Sequence, residues 1–187
     1  MEPMATYDRA AAVATSVVER ISEEQFGLPT PCTAWTVRGV LNHIVIGNMI
    51  ADAIVAGVAH PNRNVDHLSR VPKDTFARSM VRTRETLTTP GLFDRVVSTP
   101  VGERPGLYLV HLSVAELLVH SWDLAQATGQ STDLDAELVQ WVRTDWQTRL
   151  GDTPRTLLPF GEPQPVPDQA TAADRLAAYL GRSVVVA

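Results

Sequence analysis

Leu109-Val110-His111-Leu112-Ser113-Val114-Ala115-Glu116-Leu117-Leu118-Val119-His120 is a mostly apolar run that carries an acid and an imidazole one helical turn apart. Its apolar positions follow the helical period, and the pattern predicts a helix from about Leu107 to Thr128 with Gly129 as its C′ residue. An α-helix turns about 100° per residue, so positions four apart share a face. Glu116 and His120 therefore converge. A carboxylate on an apolar face needs a partner, because desolvating its charge is costly.

A second polar anomaly lies upstream, at His43 within Val40-Leu41-Asn42-His43-Ile44-Val45-Ile46. Two imidazoles and one carboxylate facing a common interior can share a divalent metal. Zinc accepts that set and keeps a position open for water or substrate. Nickel or iron is compatible with the same ligand types. The competing reading is a metal-free, hydrogen-bonded His–Glu–His core, since i,i+4 pairs and core histidines also arise as simple contacts. The spacing is not that of His-Glu-x-x-His proteases, and no Glu-x-x-His occurs in the chain, which separates it from ferritin-like di-iron bundles. Asp123 extends the same face but lies too far along the axis to be an obvious ligand. It is expected to support the site from behind or to bond to the loop at Trp35 and Thr36.

Outward from this run the chain reads as helices. The first spans about Thr6 to Ile21; a Pro-rich loop follows, and Thr36 caps a second helix reaching about Gly57. Residues 58–71 read as an exposed connection. Pro72 opens a third helix that Thr89-Pro90-Gly91 ends. Residues 92–106 are ambiguous: Arg95-Val96-Val97-Ser98 suits a short strand, but Pro100, Gly102, Pro105 and Gly106 argue for an irregular crossover. Ser131 or Thr132 is expected to cap a fifth helix ending near Gly151, with Leu138, Val142 and Trp146 inward. A Pro-rich stretch over 154–167 leads to a short helix near Thr171 to Leu180, and Val184-Val185-Val186 forms a terminal strand or apolar arm. No repeat or linker is visible, so residues 1–187 are expected to form a single domain, an all-α bundle of four long helices with an extra C-terminal helix and a short tail.

The net charge of −5 and the lack of a Lys/Arg block disfavour nucleic acid as a partner. A single cysteine, Cys32, excludes an intrachain disulfide and fits a reducing cytoplasm. The N-terminus has no basic region followed by an apolar run, so no secretory signal is expected. The apolar stretch from Leu41 to Val58 is broken by Asn42, His43, Asn48 and Asp52 and reads as a buried helix rather than a membrane span.

Gly39 and Gly47 bracket His43 by one turn each way. They imply either a close neighbouring helix or open space for a ligand. Cys32, before the second helix, is a packed residue or a reactive thiolate, the first being the simpler. Arg38 reads as a surface salt bridge, with contact to an anionic substrate as the alternative. His111 lies half a turn away from His120 in direction and reads as a surface or interface group; His60 and His67 read as solvated. Trp35 and Trp122 read as core or wall residues, and Trp141 and Trp146 as packing for the fifth helix.

Pro31-Cys32-Thr33-Ala34-Trp35-Thr36-Val37-Arg38-Gly39-Val40-Leu41-Asn42-His43-Ile44 resembles the N-terminal signature of the mycothiol-dependent maleylpyruvate isomerase-like proteins, in the DinB/YfiT-like superfamily. Glu116-Leu117-Leu118-Val119-His120-Ser121-Trp122-Asp123-Leu124-Ala125-Gln126-Ala127-Thr128-Gly129 resembles the second signature, and the tail from Phe160 to Arg182 resembles the ending of a small metal-binding branch. The resemblance implies a DinB/YfiT-like four-helix bundle with a divalent metal, usually zinc, at His43, Glu116 and His120. It further implies activation of a low-molecular-weight thiol such as mycothiol for isomerisation or S-transfer to a small electrophile. The segment after Gly129 reads as a helix plus a short tail, not as the separate substrate-binding domain of the isomerase proper, so turnover of maleylpyruvate itself is not expected. Two further function classes stand beside the enzyme: a non-catalytic bundle, assembled as a homodimer, that holds metal for stability or sensing, and a metal-free scaffold.

Overall fold

The computed structural model describes residues 2–150, 155 and 160–184. Among the described residues six α-helices predominate: α1 (Pro3–Glu19), α2 (Val37–Ala56), α3 (Pro72–Leu87), α4 (Leu107–Ala127), α5 (Ala136–Leu150) and α6 (Ala172–Tyr179). Two short strands, β1 (Val96–Thr99) and β2 (Gly102–Pro105), pair antiparallel with Val96 opposite Pro105 and Thr99 opposite Gly102.

Local chemistry sets the helix ends. The Glu2 carboxylate accepts hydrogen bonds from the amides of Met4 and Ala5 at 3.1 and 2.7 Å, and Pro3 occupies the first turn, so α1 starts at Pro3 rather than at Thr6. An acidic cap followed by proline is a complete start signal that apolar periodicity does not register. Thr36 caps α2 as expected, accepting from the Gly39 amide at 3.2 Å. The cap of α5 is neither Ser131 nor Thr132. Asp135 takes that role, accepting from the Leu138 amide at 3.0 Å while Arg9 of α1 grips the same carboxylate at 2.6–3.0 Å. That tertiary ion pair fixes where the helix begins, and local sequence cannot show it.

Within 92–106, Leu92–Asp94 make a 3-10 turn and residues 96–105 a hairpin, so the short-strand reading of Arg95 to Ser98 holds and the irregular crossover does not. Pro100 lies in the turn and Pro105 at the end of β2, positions where a missing N–H breaks no interior ladder bond. Gly151, the expected end of the fifth helix, lies outside the described residues, as do much of the Pro-rich stretch and Val185-Val186.

The core is shared among the helices. Val40, Leu41 and Ile44 of α2 meet Val114, Leu117 and Leu118 of α4 in one buried cluster, and each such side chain contributes about 1.5–3 kcal/mol. α1 packs along α4, α2 packs along α3, and α2 also crosses α4. The short α6 is tied to α4 by the buried Trp122, whose indole N–H donates to Asp174 at 2.8 Å. α2 is long and apolar enough to cross a membrane, yet half of its most apolar window is buried against the other helices, as in a core helix.

α2 and α4 run antiparallel. Trp35, just before α2, approaches His120 near the C-terminal end of α4, with ring centroids 5.9 Å apart. At the opposite end Arg95, leading into the hairpin that precedes α4, donates to the Val55 carbonyl at 3.4 Å. His43 and Glu116 meet between these two points.

Candidate metal centre

Two helices that cross antiparallel bring residues distant in sequence to one level. His43 Nε2 lies 2.9 Å from Glu116 Oε2, and His120 Nε2 lies 3.4 Å from the same oxygen. One potential ligand atom from each of the three residues falls within 4.8 Å of the others. Bonds of about 2.0–2.1 Å to a tetrahedral ion would place its ligand atoms roughly 3.3 Å apart, so small side-chain adjustments would seat one ion among these three.

The cluster is held from behind. Asp123, fully buried, accepts from His120 Nδ1 at 2.9 Å, and Arg182 donates to both Asp123 oxygens at 3.1 and 3.2 Å. An Nδ1–H bond to a carboxylate keeps one ring proton on Nδ1, so the Nε2 edge faces the centre and offers its lone pair once its own proton is displaced. Trp35 stacks on His43 with ring centroids 4.4 Å apart and forms a wall of the site. The front is open: the side chains of His43 and Glu116 keep about a third of their exposure, at 34% and 35%, whereas His120 keeps 7%.

The electrostatics favour opposite charges here. Burial works against a charge on Glu116, but the hydrogen bonds and charges of His120 and His43 outweigh it and hold the carboxyl far below its ordinary range. Burial likewise opposes protonation of His120, yet Asp123 and Glu116 raise it to about 9. Asp123 is lowered against its burial by His120 and Arg182. Without metal, His120 is therefore a cation clamped between two carboxylates.

Sequence reasoning placed Asp123 behind the site or on the loop at Trp35 and Thr36. Its partners are His120 and Arg182, and the loop is not among them. Arg182 went unnoticed as part of the centre. Its signal is the glycine before it: Gly181 has φ +87°, and a Cβ there would lie 2.7 Å from the Gly161 backbone. Only a glycine lets these two segments touch and delivers Arg182 to Asp123. Gly39 faces Trp35, where a Cβ would meet the Trp35 Cβ at 3.0 Å, and Gly47 faces open space. The two explanations for the glycines thus divide between them, with a packed side chain in place of a neighbouring helix at Gly39.

The remaining candidates stay away from the cluster. Arg38 pairs with Asp66 at 2.8 Å, the surface salt bridge expected of it. Burial first, and then the charge of Asp123, push the Cys32 thiol up, in keeping with a packed cysteine and not a reactive thiolate. His60 is exposed, and His67 is half-buried against the Asn62 carbonyl. His111 is half-buried: it contacts Asp145 at 2.7 Å and packs on Trp141.

The sequence matches the family model described as "Mycothiol maleylpyruvate isomerase N-terminal domain" over residues 7–125. The chain belongs to this family. His43, Glu116, His120 and Asp123 all fall inside the matched region, and Arg182 falls outside it. Two uncharacterized proteins of Mycobacterium tuberculosis, Rv0738 and MT0763, are each 34% identical over 185 residues, covering 98% of this chain and 100% of theirs. The fold is similar to the crystal structure of the mycothiol-dependent maleylpyruvate isomerase, with a TM-score of 0.64 at 13% identity over 79% of this chain and 71% of that one. A histidine-to-alanine mutant of that name gives 0.65. The likeness establishes a helical fold like that of the isomerase, as the sequence resemblance implied.

Proposed function

We propose that His43, Glu116 and His120 ligate one divalent ion, zinc in the first instance, and that the centre serves a thiol-dependent S-transfer or isomerisation. The observation that carries this reading is the pair of Nε2 edges directed at a single Glu116 oxygen, with His120 locked in the ligating tautomer by Asp123 and the front left open. Membership of a family named for a mycothiol-dependent isomerase supports mycothiol, or a thiol like it, as the co-substrate.

When bound, the ion supplies the Lewis acidity that keeps a thiol ionised near neutral pH. The residues do the rest. Glu116 and two neutral imidazoles leave a divalent centre one positive charge, which suits an anionic thiolate. Asp123 and Arg182 hold His120 so that its Nε2 does not wander. Trp35 shields one side of His43 from water. A small electrophile would enter by the face where His43 and Glu116 are exposed. The proposed setting is cytoplasmic, with the lone Cys32 reduced.

The test is turnover. Zinc-loaded protein mixed with mycothiol and a generic electrophile should form thioether faster than chelator-treated protein does. Equal rates would refute catalysis. A non-catalytic role has one observation in its favour: the three side chains already satisfy each other through hydrogen bonds. Stabilisation by zinc without turnover would establish that role instead.

A further inference from the structure

Tyr108, Leu112, Glu116 and His120 are successive four-residue steps along α4. Each step turns about 40° further round the axis, so Tyr108 lies about 120° from His120, on a different flank of the helix from the proposed ligands, while Leu112 lies about 6 Å of axial rise before Glu116. On this flank the structure has a cavity of about 500 Å³, bounded by Tyr108, Leu112 and Ala115 of α4, by Arg104 of β2, and by Trp146 and Arg149 of α5. Its volume falls in the usual range for a small-molecule site, about 300–1,000 Å³.

The chemistry of the walls is specific. Leu112, Ala115 and Trp146 supply an apolar part of the lining, and Tyr108 lies beneath two guanidiniums. The guanidinium carbons of Arg149 and Arg104 lie 5.0 and 6.0 Å from the centre of the Tyr108 ring. Asp145, 14% exposed, braces the site by bonding Arg149 at 2.8 Å and His111 Nδ1 at 2.7 Å. One carboxylate thus faces two guanidiniums, which leaves excess positive charge. Arg149 spends one N–H edge on Asp145 and retains others, because a guanidinium has five donors. His111 keeps Nε2 as a second hydrogen-bonding edge.

We propose that this cavity binds a small organic carboxylate with an aromatic or alkyl body, its carboxylate meeting the guanidiniums beside Tyr108 and its body lying against Leu112, Ala115 and Trp146. The site stands independently of the reading of the triad as a metal centre. Selection of an anion follows from the forked, charge-assisted bonds an arginine makes to a carboxylate.

Calorimetric titration of the full chain with phenylacetate and with its uncharged amide, phenylacetamide, tests this, in chelator and again with zinc. Phenylacetate should bind with one-to-one stoichiometry and at least about tenfold more tightly than the amide. Arg149→Gln should erase that difference by weakening phenylacetate alone. Leu112→Trp, which fills the cavity from its rim, should abolish both, with circular dichroism confirming that each variant folds. Equal affinity for acid and amide, an unaffected Arg149→Gln variant, or no binding of phenylacetate would each overturn the site. Zinc uptake without phenylacetate binding would sink the anion site and leave the triad standing. Phenylacetate binding by protein that takes up no zinc would uphold the site and sink the reading of the triad as a metal centre.

Discussion

Asp123 accepts a hydrogen bond from His120 Nδ1 at 2.9 Å, and this contact decides which edge of the imidazole faces Glu116. Asn in its place can offer the same bond through its amide oxygen, but without charge and with the option of flipping to present an N–H. Asp123→Asn should weaken zinc binding by about 10- to 100-fold, the usual effect of losing the group that orients a ligand histidine. Competition against a chromophoric chelator measures this, and an unchanged affinity would show that the contact is only structural.

Arg182 neutralises a carboxylate that has no exposure to water. Arg182→Gln should leave Asp123 short of a counter-charge and destabilise the protein by about 3–5 kcal/mol, the range for breaking a buried ion pair. Gly181→Ala should act in the same direction by forcing the Gly161 contact apart. Denaturant unfolding of both variants checks the pair; wild-type midpoints would mean that the tail does not anchor the site.

Proton linkage gives two opposite pH limits for the metal-free protein. His120 is raised from an ordinary 6.5 to about 9, so its contribution to stability is complete below 6.5 and is lost as pH climbs through about 9. Glu116 is lowered, so its contribution is complete above its ordinary 4.5 and is lost on acidification. Chelator-treated protein should therefore be less stable at pH 9.5 than at pH 6.5. A metal on His120 Nε2 must displace that proton, so zinc uptake near neutrality should release close to one proton, and apparent affinity should rise with pH up to about 9. Calorimetry in buffers of different ionisation enthalpy reads the proton directly.

The two glycines of α2 should respond differently to alanine. At Gly47 a methyl enters open space, and Gly47→Ala should stabilise the helix by up to about 1 kcal/mol with zinc content unchanged. At Gly39 the methyl presses on Trp35, so Gly39→Ala should gain less and should disturb the stack on His43. Thermal melts separate the two, and equal gains would mean that Trp35 yields freely.

Much of this was legible in the sequence, for identifiable reasons. The bundle could be read because α2 and α4 carry unbroken apolar periodicity with recognisable ends at Thr36 and Gly129. His43, Glu116 and His120 stood out as polar residues on apolar faces, and the four-residue spacing placed two of them together without a structure. What periodicity could not show were contacts that close across the chain. The α5 cap at Asp135 depends on Arg9, the support of Asp123 depends on Arg182, and His111 is drawn inward by Asp145. The first strand of the hairpin is one of two open readings of the sequence, and the second is hidden because the prolines, which argue against a strand, occupy the turn and the strand end, where they are tolerated.

Diffraction from crystals grown with zinc, measured on both sides of the zinc absorption edge, tests the central claim most directly. One anomalous peak should appear about 2.0–2.2 Å from His43 Nε2, Glu116 Oε2 and His120 Nε2, and should vanish in a Glu116→Gln, His120→Ala double variant. Zinc found elsewhere on the protein, or no peak among these three atoms at saturating zinc, would contradict it.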